Sequence, residues 1–278
     1  MKANAKKAAL EVIAILATPV VLVACALVSF EQTALLSFVV ILASLGVFFA
    51  TYESSSPRLR DIMPTVVLAA LAAAGRILFA PIPDFKPVSA IAIIAGVAFG
   101  RKSGFMVGAL AALASNFFFG QGPWTPWQMY AWGLVGYGAG LVAALPAGKG
   151  RAAHNGNAHE QSGGASSSVA PGSSKRDGSM CEQSNGINQS LTFLDAHPRV
   201  IYIYGFVACL MYGFILNAWS ILSFFHAQAS GIAGILAVYA TALPFDILHG
   251  IATVIFLVAL YAPWHRKLKR IKRKFGLA

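Results

Sequence analysis

The chain has 278 residues, of which 57% are hydrophobic and only 11% charged, with a formal net charge of +11. Its mean hydropathy is +0.67. An ordinary soluble domain carries about twice this share of charged residues, so the composition excludes that class and indicates an integral membrane protein.

Eight apolar segments approach the roughly 20 residues that a membrane-spanning helix needs. They cover residues 8–29, 32–52, 61–80, 87–100, 103–120, 126–147, 198–225 and 230–263. The fourth is short, which predicts a tilted or partly re-entrant helix. The last is too long for one span, and Pro244 is expected to divide it into an outer segment and a span. The sequence therefore predicts an all-α integral membrane protein.

The distribution of Lys and Arg predicts the orientation, because cytoplasmic flanks collect these residues. If the N-terminus lies inside, all of the Lys and Arg residues except Arg76 and Lys86 fall on the cytoplasmic side. The resulting eight-span arrangement has both termini inside. It explains the net charge without nucleic acid, although a basic tail such as 265–278 is also compatible with RNA. Beside a span, such a tail more commonly contacts anionic lipid.

The long interior segment 148–196 is rich in Gly, Ser and Asn and nearly lacks large apolar residues. Such a composition predicts a disordered linker on the cytoplasmic side. The expected organisation is then two N-terminal helices in 1–56, four helices in 57–147, the linker, two helices in 197–264, and the basic tail. The first span is too long for a signal peptide and no clear cleavage site follows it. The cysteines Cys25, Cys181 and Cys209 lack metal or redox spacing and are interpreted as reduced and structural.

The third span carries a stripe of small residues. Ala69 and Ala73 are four residues apart, as are Ala70 and Ala74. Small residues at this spacing let another helix approach closely. The stripe predicts either packing within the chain or a docking face for a partner membrane subunit.

The loop Asn116 to Met129 is the most distinctive part of the chain, reading N-F-F-F-G-Q-G-P-W-T-P-W-Q-M. Gly and Pro fix an irregular backbone, Trp offers a flat apolar face, and Asn, Gln and Thr supply directed hydrogen bonds. An interfacial aromatic belt would explain the Trp residues alone. The accompanying Gly, Pro and Gln favour a loop that closes over a small molecule.

Polar residues of the spans converge at one depth. The candidate binding residues are Arg76, Lys86, Asn116, Gln121, Trp124, Thr125, Trp127, Gln128, Asn217, Asp246 and His249. On the predicted topology all lie in the outer half of the membrane, which indicates a cup open to the outside; a channel or proton relay needs polar groups at several depths.

Each of these polar residues also has a structural interpretation. Arg76 can snorkel to lipid phosphates. Asp246 can cap a helix that begins after Pro244. His249 can serve as a structural hydrogen-bonding residue, and Asn217 can join two helices.

Four segments resemble the substrate-binding S component of energy-coupling factor (ECF) vitamin transporters. They are A-A-L-A-A-A-G-R at 69–76, P-I-P-D-F-K-P at 81–87, G-Q-G-P-W-T-P-W-Q-M at 120–129 and L-P-F-D-I-L-H-G at 243–250. The resemblance covers about residues 60–264. It implies a six-helix core that captures a vitamin beneath the loops near 81–87, 120–127 and 226–243, with cobalamin or a related corrinoid as the favoured ligand.

The same resemblance implies partners. The Ala-rich helix would dock on a transmembrane coupling subunit driven by two ATP-binding subunits, in the bacterial cytoplasmic membrane. The chain departs from the family pattern in its two additional N-terminal spans and its long linker. Neither departure falls in the binding loops.

The sequence lacks several common nucleotide-binding and catalytic motifs. It has no G-x-x-x-x-G-K-[ST] loop, no H-E-x-x-H site and no G-x-S-x-G elbow. We therefore expect no enzymatic activity, cofactor or metal. Two alternatives remain: an intramembrane enzyme that uses Asp246 and His249 as an acid–base pair, and a secondary transporter that works alone.

Overall fold

A computed structural model describes residues 9–13, 15–17, 20, 33–55, 57–145, 197, 199–224 and 227–276. Regular structure within these ranges is helical throughout. Beyond residues 9–20, the helices are α1 (Thr33–Glu53), α2 (Leu59–Leu78), α3 (Val88–Phe99), α4 (Arg101–Phe119), α5 (Thr125–Ala143), α6 (Val200–Phe224) and α7 (Ala227–Phe275). The predicted linker 148–196, Cys25 and Cys181 lie outside the described residues.

Four of the described helices are long and apolar enough to cross a membrane, by length and composition. They are Leu59–Leu78, Arg101–Phe119, Val200–Ser223 and Gly231–Phe275. Helix α3 has 12 residues. At 1.5 Å per residue it is about 18 Å long, which is shorter than a hydrocarbon core. The eight-span arrangement and its orientation stay predictions.

Helix α3 forms the centre of the molecule. Every residue from Val88 to Gly96 is buried, and the helix contacts α2, α4, α5, α6 and α7. An apolar sequence with no polar face suits this position, because a helix that is hydrophobic all round is buried on every side.

The backbones of α4 and α5 approach each other closely at glycine residues. A Cβ atom added at Gly136 would overlap the carbonyl oxygen of Gly104, and one added at Gly108 would overlap that of Trp132. Gly104 and Gly108 are four residues apart, as are Gly136 and Gly140. This small-residue spacing permits direct backbone contact between α4 and α5, which the 120–124 turn connects.

The expected break at Pro244 is wrong. Helix α7 continues through Pro244, and the non-helical residue is Gly231, with φ 57° and ψ −170°. Proline removes one backbone hydrogen bond but is tolerated within membrane helices, whereas a positive φ favours glycine. Asp246 is consequently inside a helix and is not an N-cap. Most of the expected 226–243 loop is helical, with the chain kinked at Gly231.

A buried carboxylate connects the N-terminal segment to the core. Glu11 is 1% exposed. Its Oε2 atom accepts a hydrogen bond from Tyr137 Oη at 2.7 Å and lies 3.1 Å from Arg101 Nε. Its Oε1 atom lies 3.7 Å from Lys102 Nζ. These contacts join Glu11 to the N-terminal end of α4 and to the C-terminal half of α5.

Glu11→Gln is expected to destabilise the protein. The amide keeps the size of the side chain but removes the charge that faces Arg101 and Lys102. Loss of a charge-assisted buried contact costs about 1–3 kcal/mol, and solvent reaching the half-exposed Arg101 favours the lower part of this range. Thermal unfolding in detergent measures the change. Glu53→Gln, at an exposed residue ending α1, is the control, and equal midpoints for the two variants would contradict the role of Glu11.

Candidate functional site

A hydrogen-bonded network joins α2, α4 and α5 at one end of the helices. Arg76, near the end of α2, donates from Nη1 to Ser115 Oγ at 2.6 Å and to Asn116 Oδ1 at 2.7 Å. The amide of Asn116 donates to Thr125 Oγ1 at 3.0 Å and to Gln128 Oε1 at 2.8 Å. Asn116 thus connects the guanidinium of α2 to the first turn of α5.

The 120–124 turn is attached to the same network. Thr125 Oγ1 donates to Gln121 Oε1 at 2.9 Å, and Gln121 Nε2 donates to the Leu113 carbonyl oxygen at 3.1 Å. Gly120 adopts φ 98°, which suits glycine at the point where α4 ends. The structure therefore brings together Arg76, Asn116, Gln121, Thr125 and Gln128, as the predicted topology requires.

Two aromatic rings flank the Arg76 guanidinium. Its Cζ atom lies 4.8 Å from the ring centroid of Phe119 and 4.8 Å from that of Trp132. Trp132 stacks on Tyr212 of α6, with centroids 4.8 Å apart. This arrangement stabilises a cation over two π faces and extends the site to a third aromatic ring.

Ser89 connects this aromatic group to α7. Trp132 Nε1 donates to Ser89 Oγ at 3.2 Å, and a hydrogen bond of 3.0 Å joins Ser89 Oγ to His249 Nε2. His249 is 4% exposed and also meets the edge of Tyr212. Residues of α2, α3, α4, α5, α6 and α7 are thereby linked in one continuous set of contacts.

Asp246 and His249 share a face of α7 but contact different neighbours. Asn217 Nδ2 donates to Asp246 Oδ2 at 3.2 Å, and the carboxylate packs against Gly213 of α6. The other predicted charge, Lys86, lies 3.2 Å from Asp84, a residue with φ 52° in the 81–87 loop.

The tryptophans of the loop occupy different environments. Trp124 is half-buried and meets the edge of Trp219, with centroids 6.4 Å apart. Trp127 is completely buried, and its Nε1–H has no hydrogen-bond partner within the part of the chain that the structure describes. All three Phe residues of the loop are exposed, and Phe119, the least exposed at 42%, contacts Arg76 of the network.

The most informative residues that the sequence did not indicate are Ser89, Ser115, Trp132 and Tyr212. Trp132 had a usable signal, because it is four residues after Gln128 and therefore on the same helix face. The participation of Ser89 and Tyr212 in the network is visible only in the structure, because it depends on how α3 and α6 pack.

A cavity of about 420 Å³ lies at the opposite ends of α2 and α4. Arg58, Arg101 and Lys102 are among the residues that line it. This places the cavity on the predicted cytoplasmic side. The polar network is instead a close-packed cluster, in which most donors and acceptors satisfy one another.

The alanine stripe of α2 is divided between two faces. Ala69 and Ala73 are buried within the chain, with 4% and 7% exposure. Ala70 and Ala74 are exposed, next to the exposed Val67 and Leu71. Half of the stripe therefore packs internally, and the other half is available to a neighbouring helix.

In a comparison with protein families, the model described as "ECF transporter, substrate-specific component" matches residues 60–261 of the chain. The matched range begins in α2 and ends within α7, so it contains the whole polar network. No curated protein and no solved structure matches the chain.

Proposed function

Since the chain belongs to the family of ECF transporter substrate-specific components, we propose that it captures a vitamin-type small molecule from outside the cell for an ATP-driven importer. The observation that carries this proposal is the network of Arg76, Asn116 and Gln128, which joins three helices at the predicted outer end. Buried polar groups within a membrane are costly and usually functional. Because the network connects helices α2, α4 and α5, a ligand that binds to it can shift the three helices as a unit.

We propose cobalamin or a related corrinoid as the ligand. Trp124 is half-buried beside the network and meets the edge of Trp219, which supports a ligand with a flat apolar part. Gln121, Thr125 and Gln128 supply the directed hydrogen bonds that orient such a ligand. Asn217, Asp246, His249, Lys86 and Trp127 complete the proposed lining.

Members of this family are transport subunits and act with an ECF module. We propose that the module here comprises a transmembrane coupling subunit and two ATP-binding subunits in a bacterial cytoplasmic membrane. The proposed docking face on α2 comprises Ala70 and Ala74. The burial of Ala69 and Ala73 supports a structural role for them.

Mass spectrometry of the small molecule that co-purifies with the protein tests this function. We expect an intact corrinoid or other vitamin, chemically unchanged after incubation. A converted product would support an enzyme that uses Asp246 and His249, although these residues contact Asn217 and Ser89, not each other. Uptake by the chain alone without ATP would support a secondary transporter.

Trp124→Ala and Gln128→Ala are expected to weaken binding of the identified ligand. Loss of a stacking face or a buried hydrogen bond costs about 1–3 kcal/mol, so the affinity should fall about tenfold or more. Calorimetry measures the affinity, and thermal unfolding verifies that each variant is folded. Ser54→Ala, at an exposed residue just after α1, is the control. Unchanged affinity in both variants would move the site away from the 120–128 region.

A further inference from the structure

We propose that Arg76 is a subsite for an anionic group of the ligand, a carboxylate or a phosphate. This inference rests on the transport function proposed above and specifies the chemistry of what is captured. Arg76 is 7% exposed, and its described hydrogen bonds go to neutral side chains only. No carboxylate lies within ion-pair distance of Arg76 among the residues that the structure describes.

Other carboxylates near the helix ends already have partners. Asp61 pairs with Arg58, Asp84 with Lys86, Glu11 with Arg101 and Lys102, and Asp246 accepts from Asn217. The guanidinium thus differs from the cations in these pairs because it is both buried and uncompensated. Burying a charge is costly unless it is paired, so an unpaired buried cation at a binding site indicates a missing anion.

The described hydrogen bonds leave one edge of the guanidinium unpaired. Both described hydrogen bonds use Nη1, and Nε has no partner in the described part of the chain. The Nε–Nη2 edge is the one that binds a carboxylate or phosphate through two parallel hydrogen bonds. Ser115 and Asn116 hold the opposite side of the group in place.

The flanking rings fix the plane of this edge. Phe119 and Trp132 each lie 4.8 Å from Cζ, and Ser89 restrains Trp132 through its indole N–H. A guanidinium held in this way loses little conformational freedom when it binds an anion. Arg76 therefore has the pre-organisation of a recognition group and not only of a helix-to-helix contact.

This assignment restricts the class of ligand. A molecule with an accessible carboxylate or phosphate fits, and a purely cationic molecule does not. Cobalamin satisfies the requirement through the phosphodiester of its nucleotide loop, whereas cobinamide lacks that group. Because cobinamide also lacks the ribose and the dimethylbenzimidazole, only the part of the cobalamin preference that Arg76→Gln removes is assigned to the anion.

The test uses the full chain in dodecyl maltoside, which contains no phosphate. The probes are inorganic phosphate, with chloride at matched ionic strength, and then cobalamin and cobinamide. We expect phosphate to raise the thermal midpoint of the wild-type protein by a few degrees and to leave that of Arg76→Gln unchanged. Cobalamin should bind at least tenfold more tightly than cobinamide to the wild type and lose this advantage in Arg76→Gln.

Two further variants make the result specific. Arg58→Gln removes one cation at the opposite end of α2 and should retain the phosphate response. Arg76→Lys keeps the charge and a donor to Asn116 but loses the Nε–Nη2 edge. It should fold even if Arg76→Gln does not. Compared with the wild type, it should need at least a tenfold higher phosphate concentration for the same shift of the thermal midpoint.

The outcomes distinguish the subsite from the transport function. Equal phosphate responses in the wild type and the Arg76 variants, or no response in the wild type, would overturn the subsite whether or not a vitamin binds. A response only to added phosphatidylglycerol would make Arg76 a lipid-headgroup contact and would also overturn it. A phosphate response that requires Arg76, without capture of any vitamin, would retain the anion site but refute the proposed transport function.

Discussion

Gly136→Ala is expected to cause a large loss of stability. The added Cβ would overlap the Gly104 carbonyl oxygen, so α4 and α5 would have to separate. Overpacking usually costs about 1–3 kcal/mol and sometimes more. The upper end applies here because the obstructing atoms belong to the backbone and cannot change rotamer.

Gly46→Ala is a matched control for this substitution. Gly46 lies within helix α1, and an added Cβ there would meet nothing within 4 Å. Alanine in an open helical position usually stabilises by about 0.5–1 kcal/mol relative to glycine. Thermal unfolding of the two variants should therefore show changes of opposite sign. Similar midpoints would contradict the direct backbone contact between α4 and α5.

The same contact positions the proposed binding network. Helix α4 carries Ser115 and Asn116, and α5 carries Thr125, Gln128 and Trp132. The hydrogen bonds from Asn116 to Thr125 and Gln128 are about 3 Å long, so even a small separation of the helices would break them. We therefore expect the glycine contact between α4 and α5 to support the proposed binding network indirectly, by holding the two helices together.

Hydropathy predicted the central helices well because apolar length is a strong signal. The expected segments 61–80, 103–120 and 126–147 correspond to helices Leu59–Leu78, Arg101–Phe119 and Thr125–Ala143. The last helix was less predictable. Proline indicates a possible break, but whether the helix bends or continues depends on its neighbours, and the positive φ of Gly231 had no distinctive sequence signal.

The depth of the polar residues in the membrane stays a prediction. The sequence put Arg76, Asn116 and Gln128 close to the ends of expected spans, and the structure joins them by hydrogen bonds, but the partner of each residue was not predictable. The rotation of each helix about its axis determines which side chains meet. This is why Trp132 and Ser89 were missed. It also explains why the alanine stripe could not be divided into buried and exposed halves from spacing alone.

Ala70→Trp is expected to abolish ATP-driven uptake, with a loss of at least tenfold, while ligand binding by the isolated subunit stays normal. Apolar helices gain little from the hydrophobic effect inside a bilayer, so their association depends on close van der Waals packing. Ala70 is exposed, and a large ring there would hold an opposing helix away without entering the interior of this chain. Co-purification with the coupling subunit and uptake into vesicles that contain ATP measure the effect.

Two comparisons separate docking from internal packing. Ala259→Trp places the same ring on an exposed position of α7 and should support normal uptake. Ala73→Trp places it at a residue with 7% exposure and should lower the thermal midpoint of the isolated subunit, because the interior is overpacked. If Ala70→Trp retains assembly and uptake, the docking face is elsewhere. If it destabilises the isolated subunit as Ala73→Trp does, the exposed side of α2 is a packing surface of this chain and not a site for a partner.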